Sequence, residues 1–140
     1  MKVLFAFVLS ICIGSSCTGV KRPVTTNSYH LHYLGDKVES TDGVSDSTLV
    51  GGYKVMKTRA LQDSDVKMLR DALEKAKEQD DVVKRCPFEP VYALTANDTL
   101  LLLFDMEYCP RMEDLSVEAS KMYELKADNN LKKIVDKLFQ

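Results

Sequence analysis

The sequence predicts an α+β domain: an antiparallel sheet of four to five strands, two helices packed on it, and one disulfide pinning a hairpin. Three observations carry that expectation. Segments 29–34 and 99–108 alternate their side chains with period two, segments 64–79 and 128–138 repeat apolar residues at helical spacing, and Cys86 and Cys109 bracket an apolar hairpin. The 140 residues, 45% apolar and 29% charged, suit one globular domain with its own core.

The first strand covers 29–34, where Tyr29, Leu31 and Tyr33 share one face and His30 and His32 the other. A loop rich in Asp, Ser, Thr and Gly follows over 36–47. After Gly51 and Gly52, which mark a bend, a bulge or a close backbone approach, residues 53–60 form a second strand. The period then lengthens. Val66, Leu69, Leu73 and Ala76 recur at helical spacing behind an N-cap at Asp63 or Ser64, with Lys67–Asp71 and Arg70–Glu74 pairs on the outer side. Strand period returns over 91–94 and 99–108 around Ala96-Asn97-Asp98, a turn in which Asn and Asp accept left-handed backbone. On the second of these strands Leu100, Leu102, Phe104, Met106 and Tyr108 point one way, and Asp105 and Glu107 the other. Residues 111–126 read as a loop with a short strand near 122–125. Asp128 then caps a helix striped by Leu131, Ile134, Val135 and Leu138.

Counting outward from a turn centred on Asn97 and Asp98 sets Cys86 opposite Cys109, within the reach of a disulfide. Pro87 and Pro90 interrupt the ladder near Cys86, so that end is an edge or irregular. Zinc is the alternative, but two cysteines so far apart without a neighbouring His are poorly spaced for it. An oxidised pair implies an exported protein.

The leader agrees. "MKVLFAFVLSICIGSSC" opens with Lys2, runs apolar from Val3 to Ile13 and ends in small residues, the layout of a signal peptide over 1–16. Its apolar run of about a dozen residues is shorter than the ~20 of a spanning helix. Gly14-Ser15-Ser16-Cys17 resembles the lipobox of bacterial lipoproteins, in which small residues precede a cysteine that is acylated and becomes the first mature residue. Gly14 departs from that pattern, standing where Leu, Val or Ile is usual. The resemblance covers the leader alone and implies a lipid on Cys17 and a place in the bacterial cell envelope; an ordinary secretory cut would release a soluble protein instead. Because Cys12 lies in the leader, the remaining thiols are Cys17, Cys86 and Cys109, and acylation removes the odd one. Residues 17–28 are polar, carry Pro23 and read as a tether, leaving 29–140 as the single domain.

A formal net charge of −2 and a pI near 5.7 give no footprint for nucleic acid. Nor does the chain carry Gly-x-Ser-x-Gly, a phosphate-cradling glycine loop or His-Glu-x-x-His, so no enzyme is expected. The acidic pairs Asp80-Asp81 and Glu113-Asp114 read as solvated carboxylates. His30 and His32 are candidate metal ligands without a third, so the expectation is a wet strand face and no metal or other cofactor. Asn97-Asp98-Thr99 fits the N-glycosylation pattern at a hairpin tip, which makes Asn97 a candidate acceptor. Thr99 is a second candidate, because Asp98-Thr99 and Asp46-Ser47 are similar to the Asp-Ser/Thr motif that is O-glycosylated on exported bacterial proteins. The expected function is that of a small envelope protein, held to the membrane by its lipid anchor and presenting a binding surface to another protein. An inhibitor or immunity protein, or a structural subunit of an envelope complex, is the alternative.

Overall fold

The computed structural model describes residues 27–39, 48–78 and 84–140. The expected signal peptide over 1–16, Cys17, most of the expected tether, Asp46-Ser47 and Asp80-Asp81 lie outside the described residues.

Among the described residues seven strands, not four or five, form one antiparallel sheet. They are β1 (Tyr29–Lys37), β2 (Leu49–Val50), β3 (Tyr53–Leu61), β4 (Tyr92–Ala96), β5 (Thr99–Asp105), β6 (Arg111–Asp114) and β7 (Lys121–Glu124). Their spatial order is β2-β3-β1-β4-β5-β6-β7. The strands missing from the sequence reading are β2 and β6. β2 is two residues long and β6 carries one apolar side chain, Met112, so neither shows a periodicity of its own. Each is a strand because a neighbour supplies a ladder: Val50 pairs with Tyr53 through the left-handed Gly51-Gly52 turn, and Met112 pairs with Phe104.

The helices α1 (Asp63–Ala76) and α2 (Asn129–Leu138) cover one face of the sheet. Leu69, Leu73, Leu131 and Val135 pack there with Leu31, Leu94, Leu102 and Phe104, each buried leucine contributing roughly 1.5–3 kcal/mol. α1 starts a residue earlier than expected. Its N-cap is Gln62, whose backbone N–H donates to the Asp65 carboxylate at 3.1 Å. It stops at Ala76, whose carbonyl accepts from Lys126 N at 2.7 Å as Lys77 bridges to Leu125. On its outer side Glu74 pairs with Lys77 at 2.6 Å instead of with Arg70. α2 begins as expected, with the Asp128 side chain accepting from Asn130 N at 2.8 Å.

The β4–β5 hairpin turns at Asn97 and Asp98, with φ of 48° and 64°, the left-handed pair that tight hairpins need. Thr95 pairs with Leu100, but Leu94 pairs with Leu102, so Leu101 is an extra residue. That bulge overturns the expected single face. Leu102, Phe104 and Met106 join the core under the helices, while Leu100 joins Leu34, Ala93 and Leu103 in a smaller cluster on the opposite side. Both sides of β5 are thereby covered, which explains why its sequence is a continuous apolar run. β5 ends at Asp105, and Tyr108 beyond it is 77% exposed.

Candidate functional site

Cys86 and Cys109 are bonded, with Cα atoms 6.1 Å apart. The partners are those expected, but the ladder does not bring them together. It ends at the Tyr92–Phe104 pair, the bulge has already shifted the register, and residues 84–91 are not strand. Side chains do the holding. Arg111, on β6, donates from Nη1 to the Cys86 carbonyl at 2.9 Å and from Nη2 to the Lys84 carbonyl, while its Nε bonds both Glu124 oxygens at 2.9 and 3.0 Å. Lys84 donates in turn to the carbonyls of Pro110, at 2.9 Å, and Leu125. The Arg111–Glu124 pair is 12% and 17% exposed, so water screens it far less than a surface ion pair. The hydrogen bond from Arg111 holds the Glu124 carboxyl below its ordinary range, against the opposing pull of burial.

Asp105 completes this end of the molecule. Expected on the side opposite the Leu102–Phe104 row, it is 1% exposed, and its two oxygens accept from Glu107 N at 2.9 Å and Cys109 N at 2.6 Å. The carboxylate is satisfied by the turn it creates, and that turn delivers Cys109 to its partner.

The pinned segment 87–91 leads into β4. Val91 bonds on both sides, its carbonyl accepting from Leu34 N at 2.8 Å and its N–H donating to Phe104 O at 3.1 Å. Between this segment and the end of β1 runs a groove of about 500 Å³, a size suited to binding sites, lined by Leu34, Asp36, Lys37, Tyr53, Phe88 and Tyr108 among others. Gly35 also lines it, and a Cβ there would meet Met56 Cγ and Sδ at 3.0 Å, so glycine lets β3 approach. Burial, and then the carboxylates of Glu89 and Glu113, push the Tyr53 hydroxyl above its ordinary range. The lining offers phenol, carboxylate and ammonium groups beside an apolar wall, suited to hydrogen bonding and aromatic packing.

The other singled-out residues lie elsewhere. His30 and His32 do share a face, ring centroids 6.2 Å apart, but His32 is buried and not wet. Its Nδ1 and Nε2 sit 3.0 Å from the hydroxyls of Thr58 and Thr95, and burial, then the charge of His30, lowers its pKa. No group of three or more metal-binding side chains occurs among the described residues. Asn97, the candidate acceptor, uses its side chain to hold the incoming chain: Nδ2 donates to Asn27 Oδ1 at 3.1 Å and Oδ1 accepts from Ser28 N at 2.9 Å. Thr99 is exposed beside it. Asp114 accepts from Ser116 N at 2.9 Å, and its neighbour Glu113 is half-buried.

Sequence reasoning missed the groove because its β1 wall read as a loop, and missed Arg111–Glu124 because that pair becomes cross-strand only once β6 and β7 are aligned. Comparison with known protein families, with characterised proteins and with solved structures gives no match to this chain. The disulfide indicates an oxidising environment, and among the described residues no helix is long and apolar enough to cross a membrane.

Proposed function

We propose that this chain is an exported, lipid-anchored envelope protein that binds a segment of another protein in its groove, without catalysis. One observation carries the reading: the groove and the point where the chain enters the domain are at opposite ends of β1. Asn27 and Ser28 are held at the β4–β5 hairpin tip by Asn97, whereas the groove begins at Leu34, about 20 Å further along the strand. An anchor on Cys17 would therefore join the domain at the end remote from the groove, leaving the groove clear of the attachment point. The tether of residues 17–28 could span roughly 35 Å of clearance when extended. Exposed Tyr108, together with Tyr53 and Phe88, supplies the aromatic contact area that protein interfaces favour, on a wall kept in place by the disulfide and Arg111.

Photo-crosslinking residues placed at Tyr108 and Asp36, on the groove's rim, are expected to capture the same partner in cells of the native host. One placed at Lys67, on the outer side of α1, is expected to capture nothing comparable. If rim and control positions give the same products, the groove is not the binding site. Intact mass of the native protein tests the anchor, since an unmodified Cys17 would leave only the soluble alternative.

A further inference from the structure

β3 is nine residues long, yet its outer neighbour β2 reaches only Tyr53 and Lys54. Among the described residues no other main chain pairs with that side, which leaves the outward N–H and C=O groups of residues 55–60 without a partner among the described residues. Residues 56–60 are all exposed. This stretch, uncovered among the described residues, is about as long as an average strand and a template for another chain.

Its charges follow a pattern. Lys57 sits opposite Tyr33 on the helix side, its ammonium 5.3 Å from the Phe139 ring centroid and donating to the Phe139 carbonyl at 2.7 Å. Arg59, two residues on and opposite Leu31, shares that side. Tyr53 and Val55 belong to the cluster on the other face, so Lys54 between them also points to the helix side; the irregularity at Met56 makes this possible. None of these cations has an ion-pair partner among the described residues, although the whole chain is net negative. Like charges would oppose pairing of two such edges. A strand carrying carboxylates at alternate positions would set them beside Lys57 and Arg59.

We infer that the outer edge of β3 is a strand-addition site for an extended acidic segment of a partner protein, with carboxylates two residues apart. Main-chain hydrogen bonds to residues 55–60 supply the attachment and the cationic row supplies the selection. The inference stands independently of the groove.

Hydrogen exchange of the full chain tests it, with a short synthetic peptide alternating Val and Glu and its counterpart alternating Val and Lys. The Val-Glu peptide is expected to slow exchange of the outward N–H groups within 55–60 by about tenfold or more, and the Val-Lys peptide to leave it unchanged. N-methylating alternate residues of the Val-Glu peptide should abolish the effect in one register and spare it in the other, because only one set of N–H groups faces β3. Arg59→Glu, a change at an exposed side chain, should weaken the Val-Glu peptide about tenfold. Equal slowing by both peptides, no slowing at about 1 mM peptide, tolerance of both methylated sets, or unchanged affinity in folded Arg59→Glu protein each overturns the inference.

Discussion

Replacing Cys86 and Cys109 together by Ala opens a loop whose ends are 23 residues apart. In the chain-entropy model, closing a loop of that length removes unfolded-state freedom equivalent to about 3 kcal/mol. The folded side of the balance changes less, because the Cys86 carbonyl still accepts from Arg111 and Cys109 N still donates to Asp105. Ala suits the buried 109 position better than Ser, which would bring a hydroxyl into a site with no exposure. Against a total stability of roughly 5–15 kcal/mol the loss is large, and for a domain of this size it lowers Tm by roughly 10–15 °C. Calorimetry measures the shift. Urea titration supplies the independent check, since an unfolded chain released from its cross-link exposes more surface and raises the m value. A Tm within about 3 °C of the parent with an unchanged m value would refute the reasoning, since the bond would then not be restricting the unfolded chain. Both thiols found free in unreduced native material would remove the oxidising compartment as well.

Two further outcomes are expected. His32 has a folded-state pKa below its ordinary 6.5, from burial and then from His30, so its contribution is complete above pH 6.5 and is lost as pH falls from there through the folded value. Tm measured between about pH 8 and pH 5 should fall on acidification, and His32→Gln should flatten that slope; an unchanged slope assigns it to another group. That window stays above 4.5, where loss of the depressed Glu124 carboxylate's contribution begins. Asp98→Gly relieves a side chain held at φ 64° and should raise stability by up to about 1 kcal/mol, visible as a higher urea midpoint; a lower midpoint would show that the Asp98 side chain contributes to the turn.

Much of the framework was legible because its signals are local. The stripe of Val66, Leu69, Leu73 and Ala76 makes α1, Asp128 caps α2, and Asn97-Asp98 accepts the left-handed turn, each recognisable within a few residues. The cysteine partnership was readable too, although the reasoning behind it held only as far as Thr95–Leu100, where the Leu101 bulge breaks the register. The candidate site was mostly illegible. Its β1 wall lies in a stretch of turn-like composition, its anchoring pair is 13 residues apart, and Asp105 is buried by N–H groups that face it only once the chain bends back to Cys109.

By itself the sequence determined periods, caps, the hairpin turn and the cysteines, which depend on backbone preferences and neighbouring side chains. Tertiary structure decided which segments became β2 and β6, which face Leu100 took, and where His32 and Asp105 ended. The physical reason is that strands, bulges and buried polar groups are stabilised by partners remote along the chain: β2 lies beside β3, His32 between Thr58 and Thr95, and the groove between β1 and a loop some fifty residues later.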